Sequence, residues 1–370
     1  MKKYIGIFLM SLLSTIAAAQ QNHYNLVIGT YTAPGKSEGI YTYDFDINTG
    51  NTKLKVVTKG IANPSYLVIS PDKKYAYAVN ETGETSAVSA FKYDAKTGAL
   101  TFINKVDSHG ADPCFITVDA KNVLVANYSG GSLAVFSRKA DGSLSEAIQV
   151  IQHTGKSIDP KGRQKSAHVH MVKFTPDHKY LIVNDLGEDQ TYIYSYNQTG
   201  KDKTLIEKSI IKTNPGTGPR HIVFSSNGKF AYLVHEFNGS ITAFSYLNGS
   251  LTKLQEIGTT PSNFTGAVDA ADIHVSADGK FLYETNRGDA NSISTFSILP
   301  TGKLQFIETL STLGKGPRNF TIDPSGKFLL VGHQYTNNVV IFNRDLKTGK
   351  LKDSGKRVDV GAPVCLVFDK

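Results

Sequence analysis

The chain of 370 residues carries 40 Lys and Arg against 32 Asp and Glu, a formal charge of +8, with 40% hydrophobic and 19% charged residues. Its aromatic and β-branched residues are too many for a disordered chain, and two cysteines cannot staple a disulfide framework of this length. The positive charge is scattered, with no basic run interleaved with aromatics, which argues against nucleic-acid binding.

At the N-terminus, Lys2 and Lys3 precede an apolar stretch from Tyr4 to Ile16, and Ala17-Ala18-Ala19 fits a small-residue cleavage site before Gln20. This layout reads as a secretory signal peptide over 1–19. The stretch is shorter than the ~20 apolar residues a spanning helix needs. The mature chain is expected to start near Gln20, to be periplasmic or secreted, to leave the membrane after cleavage, and to form a single domain over 20–370.

From Asn63 onward one phrase recurs: NPSYLVISPDKKYAYAVNE, then DPCFITVDAKNVLVANY from Asp112 and AHVHMVKFTPDHKYLIVND from Ala167. It returns as GPRHIVFSSNGKFAYLVHE from Gly218, AADIHVSADGKFLYETNR from Ala270 and GPRNFTIDPSGKFLLVGHQ from Gly316, with a partial copy, APVCLVFDK, from Ala362. A second marker, a Gly followed closely by Leu, falls at Gly50, Gly98, Gly142, Gly200, Gly249, Gly302 and Gly349. Each unit reads as a short apolar strand, a tight turn such as Ser70-Pro71-Asp72-Lys73, a second strand ending in a polar pair, a third strand with period-two alternation, a Gly turn and a fourth strand. Four strands repeated seven times, without a helical segment, predict an all-β fold, a seven-bladed β-propeller of four antiparallel strands per blade. Residues 25–59 supply three strands and 364–369 a lone leading strand, so the ring should close by pairing the C-terminal strand with the three N-terminal strands.

The leading strand of a blade lies innermost and the second runs antiparallel to it. The start of the first strand and the end of the second therefore share one face of the disc. That face collects Tyr66, Phe115, His168, His170, Arg220, His221, Asp272, Arg318 and Asn319, and the pairs Asn80-Glu81, Asn127-Tyr128, Asn184-Asp185, His235-Glu236, Asn286-Arg287 and His333-Gln334. His168 and His170 are spaced to share one side of a strand; with no third His beside them, a polar channel lining is preferred to a metal site. Arg220, Arg287 and Arg318 at one mouth suggest an anion site. Glu236 is either a general base or an arginine partner. The insertion from His153 to Ser166, with Lys156, Lys161, Arg163 and Lys165, is either a solvated loop or a lid that attracts an anion. Gly35-Lys36-Ser37-Glu38-Gly39 mimics a nucleophile elbow but lacks the strand-to-helix turn. Gly216-Thr217-Gly218 lacks the ending and helix of a phosphate loop. Cys114 and Cys365, two blades apart, should be buried free thiols.

Gly29-Thr30-Tyr31-Thr32 with Gly39-Ile40-Tyr41, His168-Val169-His170, Gly218-Pro219-Arg220-His221, His235-Glu236, Asn286-Arg287 and Gly316-Pro317-Arg318-Asn319 resemble the propeller-type 6-phosphogluconolactonase family, whose relatives include the carboxy-cis,cis-muconate cyclases. The resemblance covers about Asn25 to Asp369. It implies a lactone hydrolase that needs no metal or other cofactor, with His168 or His170, Arg220, Glu236 and Arg287 catalytic. Glu236 or a neutral His would activate water, and Arg220 and Arg287 would stabilise the oxyanion or hold the substrate's anionic group. Expected substrate contacts are His221, Asp272, Arg318, Asn319, Gln334 and Asn127. The export signal points to an unphosphorylated aldonolactone, a small-molecule sugar lactone, as substrate of a monomer. Competing readings are a muconate-cyclase-like lyase, a non-catalytic binding propeller, and a Ca²⁺-dependent lactonase using Asn80, Asn127, Asn184 and Glu236 as oxygen ligands.

Overall fold

A repeated turn chemistry shapes four of the blades in the same way. Where Ser70, Thr175, Ser225 and Ser276 end an innermost strand, the hydroxyl bonds Asp72, Asp177, Asn227 or Asp278 two residues on, which folds the chain back on itself. The outer hairpin glycines 50, 98, 142, 249, 302 and 349 hold φ between 72° and 84°, a conformation that costs glycine nothing. Gly200 departs from the series. Its φ is −75°, and Lys201–Lys203 forms a 3-10 turn behind it, so Lys201 takes the left-handed position with φ 49°.

In the computed structural model, which describes residues 21–33 and 36–370, these units are seven four-stranded antiparallel sheets. No α-helix occurs among the described residues. Blade 1 comprises 23–59 with 363–368, and blades 2 to 7 follow as 67–107, 113–152, 169–212, 219–258, 268–311 and 317–359. The leading strands contact one another around the ring. The expected signal peptide over 1–19 lies outside the described residues, as do Pro34 and part of the Gly35–Gly39 motif. No helix among the described residues is long and apolar enough to cross a membrane.

Apolar side chains fill the wedges between blades. Leu26, Phe45, Leu330, Ile341 and Phe368 make one such cluster, and Tyr232, Val234, Ile273, Leu282 and Phe296 another. The hairpin glycines serve this packing, since a Cβ on Gly142 or Gly302 would run into the Tyr75 or Phe230 ring of the preceding blade. On the turn face, polar clasps join one blade to the next. Asp72 pairs with Arg138 at 2.5 Å, Asp119 with Tyr196 at 2.6 Å, Asp177 with Tyr246 at 3.2 Å and Asp278 with Arg344 at 3.5 Å.

The ring closes as expected: Pro363–Phe368 pairs with His23–Thr30, in the order C-terminal strand followed by the three N-terminal strands. Asp369 completes the clasp. Its carboxylate accepts 2.8 Å bonds from the Asn25 backbone N–H, the Asn25 side chain and the Tyr93 hydroxyl of blade 2. All three partners are buried, so removing the carboxylate leaves donors without acceptors. Asp369→Ala should cost about 1–3 kcal/mol, read as a lowered Tm, and a chain ending at Gly361 should melt lower still. Retention of the full Tm by the truncated chain would contradict closure through this strand.

Candidate active site

Antiparallel pairing in the innermost strands is interrupted near the same opening of the channel in blade after blade. The register skips Cys114 in blade 3, His170 in blade 4, Arg220 in blade 5, Arg318 in blade 7 and Val364 in blade 1. In blade 6, Ala271 and Asp272 together face the single Thr285. A β-bulge leaves one residue unpaired and re-aims its side chain. This device re-aims Cys114, His170, Arg220 and Arg318, whereas Glu236 follows the end of its strand and Arg287 stays paired with Asp269. It also corrects the expected relation of His168 and His170: His168 precedes the strand Val169–Phe174, and His170 is its bulged residue.

Glu236 sits at the centre of the site, 1% exposed. Arg163 Nη1 reaches its Oε1 at 2.6 Å, Arg287 Nη2 the same oxygen at 3.0 Å, and Arg220 Nε its Oε2 at 2.8 Å. Burial works to raise the carboxyl pKa, but the charges of Arg287, Arg163 and Arg220 outweigh it and hold the group well below the usual carboxylate range. A carboxylate so saturated accepts a proton poorly. Of the two readings of Glu236, its surroundings fit the arginine partner better than the base.

Arg220 is itself 2% exposed and also donates to the Ala271 carbonyl. Burial, then the charge of Arg287, lowers its pKa to about 10, so it stays charged at neutral pH. Arg287 donates further to the Asp269 and Ala270 carbonyls at 3.2 and 3.5 Å. Arg318 differs from both, because it makes no ion pair among the described residues. Its guanidinium lies 5.7 Å from the Tyr31 ring centroid, and the Tyr31 hydroxyl donates to Glu81 at 2.8 Å.

The two histidines have separate surroundings. His170 is buried, with Nδ1 3.8 Å from Cys114 Sγ. Burial and the neighbouring Arg220, His221 and Arg318 keep its pKa well below the ordinary value, so it is neutral. His168 is partly exposed. Its Nδ1 lies 2.9 Å from the Tyr128 carbonyl, and its ring stacks on Tyr128 at 4.5 Å. A carbonyl can only accept, so Nδ1 carries the proton and Nε2 keeps its lone pair.

The other expected contacts separate by depth. His221 and Asp272 are buried and bonded at 2.9 Å, and Asp272 also holds His274 at 2.9 Å and Asn319 at 2.6 Å. Burial works to raise the Asp272 pKa, and His274 and His221 bring it well below. These groups fill the channel beneath the arginines, with Tyr66, Phe115, His170 and His221 in ring contact. The polar cavity they leave, about 10 Å³, has room for roughly one water. Asn127 lies apart from the group. It is fully buried between strands, donating to the Ser108 carbonyl at 2.9 Å and Ser132 at 3.0 Å. Asn80 and Asn184 make similar bonds, to the Ala62 and Arg220 carbonyls. With these amides engaged and Glu236 held by arginines, the oxygen set considered for Ca²⁺ has no free carboxylate. Gln334 lines a separate pocket beside Tyr31.

Sequence reasoning treated Arg163 only as loop charge. The loop is in fact strapped down: Gln164 donates to the Leu186 carbonyl at 2.8 Å, Lys161 to the Val268 carbonyl at 2.7 Å, and Ser157 to Asp189. This places Arg163 against both Glu236 and the Tyr128 hydroxyl, the latter at 2.6 Å. The one arginine among the loop's lysines was the available signal, since arginine suits a forked pairing with carboxylate. Cys114 and Cys365 are buried and free as expected. Burial raises both thiols, Cys365 to about 12.

The family described as "Lactonase, 7-bladed beta-propeller" matches residues 25–368. A 6-phosphogluconolactonase of Formosa agariphila is 39% identical over 334 residues, covering 88% of this chain and 94% of the relative. Among solved structures, a putative 6-phosphogluconolactonase from Bacteroides fragilis superposes with a TM-score of 0.91 at 41% identity, over 95% of this chain and 99% of that one. A periplasmic gluconolactonase of Pseudomonas aeruginosa gives 0.89 at 37% identity, over 94% and 99%.

Two outcomes follow from this geometry. Glu236→Gln leaves the buried Arg220, the largely buried Arg287 and the part-exposed Arg163 facing a neutral amide, and should cost about 3–5 kcal/mol in denaturant unfolding; a variant of unchanged stability would contradict the partner role. The second concerns acid. Burial is the first cause that lowers His221, His235 and His333 to about 4 from the ordinary 6.5. The unfolded chain binds protons first as pH falls, so stability is complete above 6.5 and is lost progressively towards 4. Each histidine contributes about 3 kcal/mol to that loss by pH 4. Melts at pH 7.5 and 4.5 should show a clearly lower Tm in acid.

Proposed function

The chain belongs to the seven-bladed β-propeller lactonase family, and from that premise we propose that it hydrolyses a sugar lactone, with His168 as general base and Arg318 as the principal oxyanion donor. The observation that carries the reading is the contrast among the arginines: three are committed to Glu236, while the partly exposed Arg318 makes no ion pair among the described residues. A guanidinium in that state suits the negative charge that develops on a lactone carbonyl oxygen.

The chemistry balances with these groups alone. Water adds to the carbonyl carbon while His168 Nε2 takes its proton, and the carbonyl oxygen becomes an oxyanion against Arg318 and the outward edge of Arg287. The intermediate collapses, the ring C–O bond breaks, and the ring oxygen leaves with the proton from His168. The product is an open-chain hydroxy acid, which ionises. No covalent nucleophile is needed. Tyr128 supports this role for His168 by fixing its tautomer and its plane. Four guanidiniums about one opening disfavour a divalent cation there, in keeping with a metal-independent reaction.

An unphosphorylated aldonolactone is the favoured substrate. A relative described as a periplasmic gluconolactonase agrees with an export signal over 1–19, a cleaved mature chain and a periplasmic location.

The test is lactone hydrolysis followed by pH-stat on glucono-δ-lactone and its 6-phosphate, corrected for spontaneous opening. His168→Asn should lower kcat by about 10²–10⁴ with a smaller effect on KM. If His168→Asn retains wild-type kcat while His170→Asn is inactive, the base is His170. No turnover above background on either lactone would reject the hydrolase reading for these substrates.

A further inference from the structure

At the junction of blades 7 and 1 lies a cavity of about 430 Å³ lined by Tyr31, Lys36, Gln334, Tyr335, Asn337 and two alanines. This is within the range of small-molecule sites, about 300–1,000 Å³. Lactone hydrolysis at His168 and Arg318 makes no use of it. We infer that this cavity is a subsite for a second sugar ring, so that the preferred substrate is an aldobionolactone, a lactone bearing a glycosyl group. The inference rests on the lactonase reading and extends it to the class of lactone.

Three observations carry it. Tyr335 is 62% exposed, and its ring is a flat apolar surface of the kind on which a pyranose stacks. The side-chain oxygen of Gln334, another lining residue, is buried without a hydrogen-bond partner among the described residues. Burying an amide oxygen in that state carries a cost unless a donor arrives, and a sugar hydroxyl is such a donor. Finally, Tyr31 links the cavity to the proposed oxyanion donor: it lines the cavity, and its ring centroid lies 5.7 Å from the Arg318 guanidinium. A lactone ring at Arg318 would thus have its substituent directed across Tyr31 towards Tyr335.

Charge separates this reading from a phosphate subsite. Lys36 is the only cation among the lining residues, whereas phosphate recognition favours forked arginine contacts or several donors. The aromatic and amide character of the cavity fits a neutral ring.

The experiment compares kcat/KM for cellobiono-1,5-lactone, glucono-δ-lactone and 6-phosphoglucono-δ-lactone, with the wild type and with Tyr335→Ala. It also measures binding of the open-chain acid cellobionate by calorimetry, which does not depend on turnover. The wild type should prefer the disaccharide lactone over glucono-δ-lactone by tenfold or more, mainly through KM, and Tyr335→Ala should bring the ratio near one. Cellobionate should bind the wild type at least tenfold more tightly than Tyr335→Ala. A ratio near one in the wild type, or a preference untouched by Tyr335→Ala, overturns the subsite. A preference for the 6-phosphate that is lost in Lys36→Ala assigns the cavity to phosphate instead and also overturns it. If no lactone is turned over but cellobionate binding depends on Tyr335, the subsite stands and the hydrolase reading falls.

Discussion

The opening of this propeller is organised around one buried carboxylate. Glu236 could not remain ionised in a dry channel by itself, and the three guanidiniums that surround it could not lie so close without it. The group is mutually enforced, and it draws on separate parts of the chain: Arg220 and Glu236 from blade 5, Arg287 from blade 6, and Arg163 from the insertion ahead of blade 4. Its net charge remains positive after pairing. The carboxylate thus fixes the directions of the arginines without cancelling their field, and the mouth keeps an electrostatic preference for electron-rich oxygen.

The second constraint is the break in register. A regular innermost strand would send alternate residues into the blade interior, and a ring of such strands would be sealed by apolar side chains. The skipped residues Cys114, His170, Arg220, Arg318 and Val364 relax that rule at one level of the disc. Each blade can then contribute a different group to the axis while its strands keep the same packing. The turn-face clasps, such as Asp72 with Arg138 and Asp369 with Tyr93, hold the disc from the other side.

How much of this was legible in the sequence follows from the range of the interactions. Blade number, strand order and closure were readable because they rest on local repeat signals recurring along the chain, and on three strands left over at the N-terminal end and one at the C-terminal end. The choice of face was readable from antiparallel order. The sorting of the polar pairs was not. Asn127 and Tyr128 are neighbours, yet one bonds between strands and the other faces the site. The position of Arg163 depends on where a long connection docks, which no local rule dictates. The outlier at Gly200 had a similar origin, since its Gly-Leu marker matched while the wider connection took a 3-10 turn.

The strand that closes the ring also sets an order of events. Pro363–Phe368 is made after every other described strand, and until it arrives the edge of His23–Thr30 has no partner. The blades can form as they emerge, but the ring cannot be completed before Phe368 has been made. A stalled or clipped chain therefore displays an open sheet edge, the feature that invites pairing with other chains. Only a chain that reaches Phe368 can cover that edge.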